Sequence, residues 1–107
     1  MGHPVNYLLG LILLFSPQNP SLDSVSPRER EAAIEKMAVV GNRDAIPQLV
    51  AALKKEPRSD IRAEIVAALG RIRDREAVAP LTEALRNDLD KEVRSQTIDS
   101  ILRIYIP

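Results

Sequence analysis

From Ser26 onward, apolar residues return at three- and four-residue steps, the spacing that places them on one face of an α-helix. Ala33, Ile34, Met37 and Val40 form a first stripe, and Ile46, Leu49, Val50 and Leu53 a second. Ile61, Ile65, Val66, Leu69 and Ile72 form a third, followed by Val78, Leu81 and Leu85. Val93, Thr97, Ile98, Ile101 and Ile104 complete the set. The punctuation between stripes fits helix ends. Ser26-Pro27-Arg28-Glu29 predicts a capped start, with proline in the first helical position and a glutamate placed for a capping box. Gly41 and Asn42 tolerate the left-handed backbone of a helix exit. Asn42 or Asp44 is expected to cap the second helix, Ser59 or Asp60 to begin the third, Asp74 to cap the fourth and Asp90 the fifth. Pro47 and Pro80 fall in first turns, where a missing N–H costs nothing. The prediction is all-α: two complete helical pairs and one half. The connections are short, which makes neighbouring helices antiparallel.

The pattern also copies itself at a spacing of 32 residues. Arg30, Arg62 and Arg94 align, as do Ile34, Val66 and Ile98, then Met37, Leu69 and Ile101, then Val40, Ile72 and Ile104. Arg43 meets Arg75, Leu49 meets Leu81 and Leu53 meets Leu85. A period of this length is the mark of stacked repeats that bury their apolar faces only against each other. The units are 26–57, 58–89 and a half-unit 90–107.

Residues 1–25 stand apart as a hydrophobic leader and linker. Val5–Phe15 is almost wholly apolar, and Ser16–Ser21 is rich in helix breakers. A 32-residue shift would put Pro17 where Leu49 sits, so the segment is not a further repeat. It is too short to span a membrane but matches the apolar core of a secretory signal. No Lys or Arg precedes it and no clean cleavage site follows, so a cap docked on the first repeat is the competing reading. The signal reading implies an exported or periplasmic protein, and the cap reading a cytoplasmic one.

Composition narrows the chemistry. Fifteen basic and fifteen acidic residues cancel, which argues against a general nucleic-acid binder. Aromatic residues are only Tyr7, Phe15 and Tyr105, which leaves little for stacking bases or sugars. With no cysteine, disulfides, thiolate metal sites and a cysteine nucleophile are excluded. The one histidine, His3, lies in the leader. Glu31 and Glu35 lie four apart on a solvent-facing helix, and Ser95 and Ser100 have no base beside them. The four glycines are scattered and form no phosphate loop. No catalytic, cofactor or metal constellation emerges, and a non-enzymatic chain is expected.

The run Ala67-Ala68-Leu69-Gly70-Arg71-Ile72-Arg73-Asp74, with Glu76–Leu81, Ala84-Leu85 and Asp88–Arg94, resembles the HEAT-like repeats of the bilin-lyase type. The first copy departs from that pattern at Glu29 and Ala38, which stand where Ile61 and Gly70 stand in the second. The resemblance implies a right-handed α-solenoid of antiparallel helix pairs, used as a protein-binding scaffold. In a minority of members it implies chromophore attachment.

Three surfaces are candidate sites. Arg30, Arg62 and Arg94 recur one turn into successive helices beside Glu56, Asp60, Asp88, Asp90 and Glu92, and are expected to form a structural ladder. Arg43, Arg71, Arg73, Arg75 and Arg103 could line an edge that attracts phosphate or nucleic acid. Gln48, Lys54, Lys55, Thr82, Glu83 and Arg86 lie on the solvent faces of the second and fourth helices, as candidate contacts to a protein partner. The leading reading is a protein-interaction scaffold. The alternatives are an anion-binding module and an accessory subunit of a bilin-lyase-type enzyme. The last helix carries Ile101, Leu102, Ile104, Tyr105 and Ile106 with no helix predicted after it, so this end is expected to be sticky: it pairs with a copy of itself, or the leader covers part of it, or the array is longer.

Overall fold

The computed structural model describes residues 21–107, so the signal and docked-cap readings of the leader lie outside the described residues. Five α-helices form: α1 (Pro27–Val40), α2 (Ile46–Lys55), α3 (Ser59–Ile72), α4 (Val78–Asn87) and α5 (Lys91–Tyr105). There is no strand among the described residues, and no helix there is long and apolar enough to cross a membrane. The architecture is a short helical solenoid. Helices α1, α3 and α5 lie side by side in one layer, and α2 and α4 lie along one side of it.

Local chemistry explains the boundaries. The Ser26 hydroxyl accepts the Glu29 N–H at 3.4 Å and opens α1. The reciprocal half of the capping box runs through Ser24: its hydroxyl donates to the Glu29 carboxylate and accepts the Ser26 N–H. Asp90 opens α5 by accepting from the N–H groups of Glu92 and Val93. The start of α3 is different, because Arg58 takes the capping position with no side-chain cap. Asn42 and Asp74 cap single 3-10 turns, Arg43–Ala45 and Arg75–Ala77, and not α2 and α4 themselves. The first turns of α2 and α4 follow directly from those 3-10 turns, so their N–H groups need no side-chain cap. Gly41 closes α1 at φ 67°. Thirty-two residues on, Arg73 closes α3 in the same left-handed conformation at φ 58°, at a strain glycine would not carry.

The core runs the length of the array. Leu49, Ile61, Ile65, Val66, Leu69, Leu81 and Val93 are fully buried, and Ile34, Ile46 and Ile104 nearly so. Helix α5 approaches α3 more closely than ordinary side chains allow. A Cβ placed on Gly70 would sit 2.7 Å from the Ser100 Cβ. The Ser100 hydroxyl crosses the same contact and donates to the Val66 carbonyl at 2.7 Å. Thr97, also fully buried, donates to the Val93 carbonyl at 2.7 Å, so neither hydroxyl is left unsatisfied.

Two predicted core positions face out instead. Val40 is 67% exposed, because α2 leans on α3 and leaves an open groove against α1. Ile98 is 46% exposed. Its counterparts Ile34 and Val66 are buried on the flank where the next helix of the layer packs, and no described helix covers that flank of α5. Within α5 the inward stripe is Val93, Thr97, Ser100 and Ile104.

Candidate functional site

The repeated arginines build a ladder. Arg30 on α1 grips the carboxylate of Glu56, just past the end of α2, through Nε at 2.7 Å and Nη2 at 3.1 Å. Its Nη1 donates to the carbonyls of Ser24 and Val25. Arg62 on α3 repeats the arrangement with Asp88, past the end of α4, at 2.9 and 3.2 Å. Its Nη1 donates to the carbonyls of Glu56 and Pro57. Each carboxylate also accepts a backbone N–H of the following loop: Glu56 from Arg58 and Asp88 from Asp90. One rung therefore fixes a pair, its exit loop and the entry to the next pair. Arg94 keeps only the anchoring half. Its Nη1 donates to the Asp88 carbonyl at 2.8 Å, and no carboxylate among the described residues meets its other nitrogens.

Both rungs are largely shielded from solvent. Burial pushes the Glu56 and Asp88 carboxyls up. The guanidinium hydrogen bonds from Arg30 and Arg62, with the backbone N–H groups, outweigh it and hold both acids below their ordinary values. The Asp88 hydrogen bond in turn raises Arg62. Of the acidic neighbours named from the sequence, only Glu56 and Asp88 enter the rungs. Asp60 pairs with Arg58, and Asp90 is the α5 cap. Glu56 and Asp88 are 32 residues apart, but so are the acids Asp60 and Glu92, so the recurrence alone does not pick out the rung partners.

The arginine edge is engaged within the molecule. Arg43 pairs with Asp74 at 3.5 Å and with Glu76, linking one interhelical turn to the next. Arg73 Nη2 donates to the Ile106 carbonyl at 2.7 Å. Arg75 lies 5.4 Å from the centre of the Tyr105 ring, a cation–π contact. Arg71 and Arg103 are exposed. Three of these five arginines thus form a second set of links between successive repeats. The partners of Arg73 and Arg75 are a carbonyl and a ring, groups that carry no charge pattern, whereas Arg43 meets the acids Asp74 and Glu76, one repeat further along the chain.

A groove of about 370 Å³ opens between α2 and α4. Its apolar surface comes from Val50, Leu53, Pro80, Ala84 and Leu89. Lys54 and Glu83 bring opposite charges to it, and the rung residues Glu56, Arg62 and Asp88 also line it. Of the other proposed contacts, Gln48 belongs to the separate α1–α2 groove. Lys55 pairs with Asp23, and the Thr82 hydroxyl donates to the Val78 carbonyl of its own helix. Arg86 is exposed. The structure therefore brings Lys54 and Glu83 together and disperses the rest. Leu89 was absent from the sequence-based set, yet it is 95% exposed at the groove.

Glu31, Glu35 and Glu64 line a groove of about 490 Å³ between α1 and α3 with Arg28 and Arg71. Burial raises the Glu64 carboxyl above its ordinary value, and the neighbouring charges of Glu31, Asp60 and Glu35 add to the effect. Among the described residues, no group of acids or histidine is arranged to hold a metal ion.

A family model for HEAT repeats matches residues 20–101, across both complete pairs and most of α5. The match is to HEAT repeats in general and does not reach the bilin-lyase type. No curated protein and no solved structure matches the chain. Built of stacked helix pairs with recurring rungs and matched over residues 20–101, the chain belongs to the HEAT-repeat family.

Proposed function

We propose that the chain is a non-catalytic scaffold that binds another protein in the groove between α2 and α4. HEAT repeats commonly mediate protein–protein interaction, and the family is generally non-catalytic. The observation that carries the proposal is that the Arg62–Asp88 rung lines an open groove of mixed apolar and charged surface. The rung fixes α4 relative to α3, so the groove is formed before a partner arrives. A preformed surface avoids part of the ordering cost of binding. The apolar lining supplies burial, and Lys54 and Glu83 supply orientation through charges of opposite sign.

The arginine edge is less well placed for an anion, because Arg43, Arg73 and Arg75 are already engaged. The test is affinity capture with the full chain and with a Lys54→Glu/Glu83→Lys variant. Both side chains are exposed, so the thermal midpoint is expected to stay the same. Partners captured by the wild type should be lost from the variant. Retention of the same partners at the same yield would refute the groove as the binding surface.

A further inference from the structure

The repeat register continues into the four residues that lie before Ser26. Shifted by 32, Leu22, Asp23, Ser24 and Val25 fall on Lys54, Lys55, Glu56 and Pro57, the end of α2 and the loop after it. Leu22–Val25 is not helical, yet its contacts match. Arg30 Nη1 donates to the Ser24 and Val25 carbonyls at 2.9 and 3.2 Å. Arg62 Nη1 donates to the Glu56 and Pro57 carbonyls at 3.2 and 3.0 Å. Local bonds shape the segment for this. The Ser24 N–H donates to the Ser21 carbonyl at 3.2 Å and closes a turn where a helix end would lie. The Asp23 N–H donates to the Ser21 hydroxyl at 3.0 Å. The Ser24 hydroxyl then ties the turn to α1, accepting the Ser26 N–H and donating to Glu29. On the side-chain level, Leu22 is partly buried against the core, and Asp23 pairs with Lys55 on α2. Leu22 borders a cavity of about 170 Å³ with Arg30, Ala52, Glu56 and Pro57. The counterparts of those four, Arg62, Ala84, Asp88 and Leu89, line the α2–α4 groove. Leu22 stands where Lys54 stands in that groove, so it supplies the wall that α2 supplies one repeat later.

We propose that Leu22–Val25 is an end cap built into the chain, standing in for the end of a preceding second helix, so that the folded unit begins at Leu22 and not at Ser26. Stacked repeats need atypical ends, because a terminal unit lacks the neighbour that would complete its contacts. Here the missing contacts are specific. The Arg30 side chain is largely shielded, and among the described residues its Nη1 finds acceptors only in the Ser24 and Val25 carbonyls. Without them a mostly buried donor would be left unpaired, and the first rung would lose its hold on the chain in front of it. Leu22 anchors the turn that presents those carbonyls. The cap also limits where the chain can be cut. A cleavage before Leu22 leaves the first rung whole, whereas one between Leu22 and Ser26 takes its front half away. This device does not depend on the α2–α4 groove binding a partner.

The test is made on the full chain, by hydrogen exchange followed by NMR, by urea denaturation and by limited proteolysis with a protease of broad specificity. Leu22→Ala is expected to speed exchange of the Arg30 side-chain N–H and of the α1 amides by about tenfold or more, with a smaller effect in α5. It should also lower the urea midpoint. Val25→Glu is the control. The Val25 side chain is 97% exposed while its carbonyl makes the contact, so neither exchange nor midpoint should change. Proteolysis of the folded wild type should give no cut between Leu22 and Ser26, and Leu22→Ala should open that stretch to cleavage. Three results would overturn the proposal. One is a Leu22→Ala chain with the exchange rates and midpoint of the wild type. Another is a Val25→Glu chain as strongly affected as Leu22→Ala, which would mean that Leu22 is no anchor. The third is cleavage between Leu22 and Ser26 in wild-type protein whose midpoint is unaltered by the cut.

Discussion

Arg62 does three things at once. It binds Asp88, it satisfies two carbonyls of the preceding loop, and through Asp88 it fixes the N–H that starts the approach to α5. Removing it leaves a mostly buried carboxylate without its cation. Arg62→Gln is therefore expected to cost about 2–3 kcal/mol, measured by urea denaturation. Arg94→Gln, which loses one carbonyl contact, should cost about 1 kcal/mol or less. A double-mutant cycle of Arg62→Gln with Asp88→Asn should show strong coupling, because both changes break one interaction. The arginines were legible in the sequence as a 32-residue recurrence, but their partners were not all separable. Asp60 and Asp90 lie near the same loops as Glu56 and Asp88, and only three-dimensional geometry assigns the former to an adjacent arginine and a helix cap. Ser100 was invisible as a packing residue for a similar reason. A serine on a helix shows its value only when glycine stands opposite, and Gly70 is thirty positions away in the chain.

At the scale of the helices, amphipathic spacing located all five, and turn chemistry placed most of their ends. The misplaced features share a cause. Val40 and Ile98 belong to apolar stripes, but whether a stripe is covered depends on which neighbour each helix leans toward. Spacing within one helix carries no such information. The 3-10 turns were missed because Asn42 and Asp74 look like ordinary helix caps, and only the backbone shows the extra turn before α2 and α4. The α3–α5 contact is the tightest junction, and it has a sharp steric limit. Gly70→Ala should push α5 away from α3 and destabilise the chain by about 1–3 kcal/mol, the usual range for overpacking. Ser100→Gly in that background should recover part of the loss, since it removes the clashing Cβ while giving up the bond to Val66. Thermal melts of the two variants measure both effects. No recovery would mean that the helices are not held at the distance described.

At the scale of the whole molecule, the repeats are joined along two lines. The Arg30–Glu56 and Arg62–Asp88 rungs lie at one end of the helices, and the Arg43, Arg73 and Arg75 links lie at the interhelical turns. The first line has a pH signature. Glu56 and Asp88 titrate below their unfolded values, so the folded chain binds fewer protons than the unfolded one in that range. Their contribution is complete above the unfolded carboxylate values of about 4 and disappears as pH falls through the lower folded values. Stability should therefore drop below about pH 4, and an Asp88→Asn/Glu56→Gln variant should show a shallower drop. Glu64 has the opposite sign. Its raised value favours the protonated form in the folded chain, so acid relieves it and Glu64→Gln should remove that gain. The Arg62–Asp88 rung and Glu56 line the α2–α4 groove, which is the basis for proposing it as a partner's binding surface.

Site-specific photo-crosslinking tests that assignment most directly. A photoreactive residue is placed at Lys54 or Glu83 on the groove and, as a control, at Glu35 or Asp99 on the layer of α1, α3 and α5. Partner adducts are expected from positions 54 and 83 and none from 35 and 99. Adducts of the same partner from 35 or 99, with positions 54 and 83 silent, would contradict it.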